Sequence, residues 1–493
     1  MNKIIYLLLG VMGSSLLATN FNKDDALEYL NSIRVSAGLS SLNQNSILET
    51  ASQNHVNYLA DKGLTGHYED NNTYPSDFYT GDKPFDRGVY AGYSSSYYLE
   101  NISAGQEDII TSIDGLMSAI YHRYGFLNNN IDEIGIGVHS SRLFNYNMGN
   151  SKLNKLCNAD SYEGTKKSYY GVCAEYDFKI EATLYDEVSS SLADSSPNYV
   201  IWPPANSLNI LPVFFEESPD PLPSYSVSGY PISIEFNSHK YKDNNISIDS
   251  FRVYESSGIE LTNTLLMDIS NDPNEKHDKY QFTLFPLERL NWNQTYLVEV
   301  DFNIDDKAYS KSWSFQTQDI NIPTYTITDL DETLILKTDT QYALYFPPTS
   351  RDDVFNGISY TYNTSEQDVS IYDSNTILVK LNGENESYCN IDIKNNGTIT
   401  KTIHLKIGSE DNINDKKLED KIETFSYKID DTDIFIKLLT QDDTKEITLN
   451  VDNEESIFPL FDINSNITIK ESVDTVFIEI KTKLTEAITF EGR

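Results

Sequence analysis

The sequence predicts a multidomain chain with an α/β domain in its first third and two or three β-sandwich modules behind it. Three observations carry that reading. A length of 493 residues exceeds what one hydrophobic core organises, so several domains of roughly 100–200 residues are expected. Apolar residues at helical spacing, followed by an alternating strand, occur only before about residue 190. From about residue 226 the text is short alternating runs set apart by Asn, Gly and Asp, with no helix of useful length between them.

Residues 1–18, MNKIIYLLLGVMGSSLLA, combine one Lys, an apolar run and small residues near the end, which reads as a secretory signal peptide and not as a membrane span. Export to the periplasm or beyond the cell follows, and no later run is apolar enough to cross a bilayer. Ala26, Leu30 and Ile33 share one helical face, with Asn22 able to cap its start and Gly38 placed just past its end. A second helix is expected from about Ser46 to Lys62, closed by Gly63, with His55 on its core stripe as a buried, hydrogen-bonded side chain. His67 comes after that helix has ended, in Gly-His-Tyr, where its ring is free to face a cleft. Residues 69–96 show no period and read as a long ordered loop, a kind of segment that is often functional.

Ile109, Ile113, Leu116, Met117 and Ile120 predict one helix from about Gln106 to Arg123. That puts His122 in the last turn, where the negative end of the helix dipole favours a cation. Glu100 precedes the helix in a polar turn. Ile134, Ile136 and Val138 alternate with Gly135 and Gly137, which describes a strand whose glycine face lets another backbone come close. Residues 139–190, including YDFKIEATLY at 176–185, are expected to complete the sheet. Eight of the sixteen prolines then fall between Pro197 and Pro231, so residues 191–225 read as a stiff connector whose Trp and Phe dock on a neighbour. The β-modules are expected at 226–318, 325–408 and 420–493, with the charged run SEDNINDKKLEDK as a linker before the last, and their texture resembles bacterial Ig-like or fibronectin-type modules.

The 37 basic against 75 acidic residues leave a net charge of -38, which disfavours nucleic acid and anionic membrane surfaces as partners. Cys157 and Cys173 flank a polar loop in an exported chain and are expected to form a disulfide, contributing roughly 3 kcal/mol by constraining the unfolded chain. Cys389 is then a buried free thiol.

Seven stretches in order resemble the bacterial branch of the CAP superfamily, also called SCP-like or PR-1-like domains. They are LNSIRVSAGLSSL (30–42), ETASQNHVNYLA (49–60), TGHYE (65–69), PFDRGVYAGY (84–93), ENI (100–102), MSAIYHR (117–123) and EIGIGV (133–138). The resemblance implies an α/β/α sandwich at residues 22–190 whose cavity gathers His67, Glu100 and His122, two imidazoles and a carboxylate able to hold a divalent metal such as Zn2+. A second acidic cavity residue is implied, for which Glu69 and Asp86 are both eligible.

Two functions follow from that implication. The preferred one is a secreted binding protein whose His/Glu cleft takes a divalent metal, a small molecule, a lipid or a cell-surface ligand. The alternative is a metal-assisted secreted hydrolase of peptidase or esterase type, in which metal or His122 activates water and Glu100 accepts the proton. No GxSxG, HExxH or phosphate-cradling glycine loop supports the second.

Overall fold

The computed structural model describes residues 21–331 and 333–408 with their side chains, and gives the backbone of the strands between 421 and 492. The predicted signal peptide at 1–18 and the charged run from 409 to 420 lie outside the described residues.

Helix α1 (Lys23–Ser36) starts where the Asn22 side chain accepts from the Asp24 amide at 3.0 Å, and buries Ala26, Leu30 and Ile33. A two-residue strand β1 (Asn43–Gln44) leads into α2 (Ser46–Lys62), which ends on Gly63 in the left-handed region. Next come α3 (Pro84–Ala91), β2 (Tyr98–Ala104), α4 (Ile109–Ser118), α5 (Ile120–Phe126), β3 (Glu133–His139) and β4 (Leu143–Gly149). The strands form one sheet in the order β1-β3-β4-β2, with β1 parallel to β3 and the other pairs antiparallel.

Alternation along β3 assigns its two faces. Ile134 and Ile136 pack with Ala26, Leu30, Ile113, Leu116 and Tyr146 under α1 and α4. Gly135 and Gly137 look the other way, onto α2. A methyl group at Gly135 would stand 1.9 Å from the Glu49 amide nitrogen, and one at Gly137 2.3 Å from the Ser52 carbonyl oxygen. Helices therefore cover both faces, which is the expected α/β/α layering.

Two local expectations are corrected. The helix predicted from Gln106 to Arg123 is two helices, broken at Ala119, whose backbone is extended at φ -78° and ψ 111°. His122 thus sits in the first turn of α5, not at the negative end of a long helix, and the dipole argument for it lapses. The residues YDFKIEATLY do not extend the main sheet. Ile180–Glu181 pair only with Ser168–Tyr169, and α7 (Ala182–Ser195) follows, because Tyr185, Val188 and Leu192 stand three and four apart and bury partly as a stripe. Before it, α6 (Ser151–Cys157) carries Cys157, which is bonded to Cys173.

The Pro-rich stretch is also more than a connector. Tyr199–Trp202 pairs antiparallel with Ile232–Phe236, and Ser207–Ile210 pairs parallel with Lys307–Thr317, so it supplies an edge strand to each sheet of the first β-module. Pro203, Pro204 and Pro212 fall between these short strands, where a missing amide breaks no ladder. One sheet contains 264–267, 281–286, 232–236 and 199–202; the other contains 246–255, 295–304, 307–317 and 207–210. Their core is continuous with the N-terminal one, since Val200, Trp202, Tyr230, Ile232 and Phe282 belong to the same buried cluster as Leu30, Ile113 and Phe144.

A second pair of four-stranded sheets spans 324–407 and encloses its own core, including Cys389, a buried free thiol that burial pushes up to about 11. Further strands lie in a four-stranded sheet at 421–460 and a three-stranded one at 466–492. A strand-rich region of multiple sheets thus follows the α/β/α domain. Among the described residues no helix is long and apolar enough to cross a membrane.

Candidate functional site

Four elements and one loop converge on the sequence-predicted side chains. The loop after α2 turns at Gly66, whose φ of +102° favours glycine, and presents His67. Strand β2 presents Glu100, in register with Asn147 on β4. Helix α3 contributes Arg87 beneath them, and α5 brings His122 to the opposite wall. The imidazoles of His67 and His122 lie nearly parallel, with ring centres 6.1 Å apart and planes 14° from one another.

His67 Nδ1 is 2.9 Å from Glu100 Oε1. The buried guanidinium of Arg87 donates from Nη2 to both oxygens of the same carboxylate, at 2.9 and 2.7 Å. Burial alone would raise the Glu100 carboxyl. The hydrogen bond from His67 and the Arg87 charge outweigh it and hold Glu100 at about 2. Glu100 is therefore ionised and faces His67 Nδ1, the contact that in a neutral imidazole selects the tautomer with its lone pair on Nε2.

His122 is seated in the same way on a residue that the sequence reading left in the connector. Its Nδ1 is 2.9 Å from Glu217 Oε2, while the Tyr121 amide donates to Glu217 Oε1 at 3.2 Å. Neither eligible candidate fills that place. Glu69 is buried against His55, 2.8 Å from its Nδ1, and Asp86 accepts from the Lys83 amide at 3.2 Å as part of the α3 cap. His55 is a fully buried structural residue, its Nε2 3.0 Å from the Gly66 carbonyl, and so fixes the turn that presents His67. Asn101, next to Glu100, donates to the His122 carbonyl at 2.8 Å, so adjacent residues of β2 serve both histidines.

The chemistry of this donor set decides what could be held. Glu100 spends its oxygens on Arg87 and His67 and stands behind an imidazole, not beside one. Among the described residues no group of three or more His, Cys, Asp or Glu side chains is arranged to hold a metal ion. The Nε2 atoms of His67 and His122 meet no hydrogen-bond partner among the described residues. A carboxylate behind each ring is the arrangement that orients metal-ligating histidines.

Comparison with known proteins bears on the same region. A model of the Cysteine-rich secretory protein family matches residues 27–159. That stretch is a CAP domain. No curated protein matches the sequence. Among solved structures, an extracellular protein containing an SCP domain from Bacillus anthracis str. Ames is similar at 20% identity over 26% of this chain and 39% of its own, with a TM-score of 0.23. The chain thus spans well under half of that protein's length. A Bacteroides ovatus mixed-linkage glucan utilization protein, SGBP-B, is similar at 12% identity over 60% of this chain and 70% of its own, with a TM-score of 0.13. The tandem Ig repeats of Dlar are similar at 12% identity over 43% and 96%, with a TM-score of 0.13.

Beyond the CAP domain proper, the first β-module clasps α5. Tyr121 donates to Asp272, Arg123 Nη1 to the Pro231 carbonyl at 2.7 Å, and the Tyr124 hydroxyl meets Thr283 Oγ1 at 2.8 Å. The CAP-domain helix that carries His122 is thus held from outside the domain. A separate cavity of about 830 Å³ lies on the first β-module, where Tyr199, Tyr241, Phe302 and Tyr309 line it together with Asp305 and Lys307. Neither cleft histidine lines it, so the His67–His122 cleft, where each imidazole meets a buried carboxylate, is the better candidate site.

Proposed function

We propose that this chain is an exported binding protein whose CAP domain offers two aligned imidazoles, His67 and His122, to a ligand that accepts electron pairs, with the β-modules spacing or presenting that domain. One observation supports this above others. Each ring rests through Nδ1 on a buried carboxylate, which leaves two Nε2 lone pairs without protein partners across a gap of 6.1 Å between ring centres. A divalent cation such as Zn2+ suits that pair, with His67 and His122 as its protein ligands and Glu100 and Glu217 orienting them. When bound, such an ion would act as a Lewis acid toward a further ligand. The surplus of acidic residues draws cations toward the molecule at long range.

The hydrolase reading is weaker for a stated reason. It asks Glu100 to take a proton from water, and a carboxylate held at about 2 by Arg87 and His67 is too weak a base for that at neutral pH. No Ser, Thr or Cys among the described residues is hydrogen-bonded to either imidazole.

Calorimetric zinc titration of the wild type, His67→Ala and His122→Ala, run beside a broad esterase and peptidase screen, tests the proposal. Saturable one-to-one uptake is expected, weakened by at least about tenfold in either variant, without turnover. Absence of uptake would refute the cation site, and turnover lost in His122→Ala would favour the hydrolase.

A further inference from the structure

The segment from Val213 to Pro223 runs as a strap across α5, and we infer that its Glu217 is a positioning residue that completes the CAP cleft from outside the CAP domain by fixing the tautomer of His122. This rests on the reading of His67 and His122 as the cleft's working pair.

The strap is built to hold that one side chain in place. Phe214 and Leu222, on either side of Glu217, are buried in one cluster with Ala119, Ile120 and Tyr124, the residues around His122. Val213–Phe214 pairs with Ser228–Gly229, and the Leu222 amide donates to the Asp220 side chain at 2.8 Å. Asn274 reaches over from the first β-module, donating to the Asp220 carbonyl at 2.7 Å and to the Tyr121 hydroxyl at 3.1 Å. From the second β-module, Arg351 donates to Asp220 Oδ2 at 2.7 Å and lies 3.4 Å from Glu216 Oε2. With its neighbours held from two modules, Glu217 points into the CAP domain and gives one oxygen to the Tyr121 amide and the other to His122.

The chemical consequence follows from the two states of a neutral imidazole. A carboxylate accepting from Nδ1–H leaves Nε2 unprotonated, so the lone pair faces away from the strap. Glu100 does the same for His67. The two dyads match in chemistry, but one carboxylate comes from the CAP sheet and the other from a segment 95 residues past its histidine.

The experiment uses the full chain and reads imidazole nitrogen–proton correlations at neutral pH in wild type, Glu217→Ala, Glu217→Met and Glu217→Gln, with Zn2+ as binding probe. Methionine keeps the packing volume without an acceptor, and glutamine keeps an acceptor oxygen without the charge. His122 is expected as the Nδ1–H form in wild type and Glu217→Gln, and to shift toward the Nε2–H form in the alanine and methionine variants, while His67 stays unchanged. Zinc affinity should fall by about 10–100-fold in those two variants and recover in part with glutamine. His122 unchanged in both acceptor-free variants, or His67 shifting as far as His122, would overturn the inference. A wild type that takes up no zinc would sink the proposed function, and the tautomer of His122 would still decide the role of Glu217.

Discussion

Glu100 shows how one carboxylate can be committed to position a partner. Arg87 and His67 both depend on its charge, and its value of about 2 lies below the ordinary value of about 4.3. A lowered carboxyl contributes stability that is present above its ordinary value and is lost as pH falls through its folded value. Urea unfolding from about pH 6 down to pH 2 should therefore show a wild-type loss of stability across that window, with Glu100→Gln less stable near pH 6 and flatter below. Equal slopes for the two proteins would refute the pairing. Replacing Arg87 by Met leaves Glu100 buried without its cation and should cost about 3–5 kcal/mol. The sequence singled out His67, Glu100 and His122 only through a family resemblance, since residues 33 and 22 positions apart carry no sign of meeting. Arg87 stood inside the quoted run PFDRGVYAGY, but nothing local shows which carboxylate a buried guanidinium will choose. Glu217 had no signal at all, because its partner is set by where the strap crosses α5.

Elements were legible where the periodic pattern had one meaning. The alternation of Gly135 and Gly137 with Ile134, Ile136 and Val138 announced a close backbone approach, and α2 is the backbone that approaches. Gly135→Ala should consequently destabilise the fold by about 3 kcal/mol or more, because the clash is with backbone that cannot rotate away. A denaturation midpoint within error of wild type would contradict that packing. The break at Ala119 was not legible, since the apolar spacing runs through it unbroken to Ile120. Contacts made elsewhere impose it: α5 turns so that Tyr121, Arg123 and Tyr124 enter the first β-module while His122 faces the cleft. The helix at Ala182–Ser195 was missed because its polar, serine-rich face hides a stripe of only three partly buried residues.

At the scale of the molecule, a strand-rich region of several sheets behind the α/β/α domain could be read from turn spacing, but where its first strands begin could not. Proline density argued for a connector, whereas the short strands between the prolines close both sheets and carry the CAP core into the β-module. That continuity predicts one cooperative transition for the CAP domain and first β-module together. Trp202, Trp292 and Trp313 are the three tryptophans of the chain and all lie in that module, so their fluorescence should lose half its signal at the same denaturant concentration as hydrogen-exchange protection of β3 and β4. Two separated midpoints would show an independent CAP domain. The central claim is that both cleft imidazoles are seated through Nδ1 and keep Nε2 bare. The imidazole nitrogen–proton correlation spectrum of the wild-type chain at neutral pH tests it most directly. His67 and His122 should both show the Nδ1–H form, and a neutral Nε2–H form at either residue would contradict that seating.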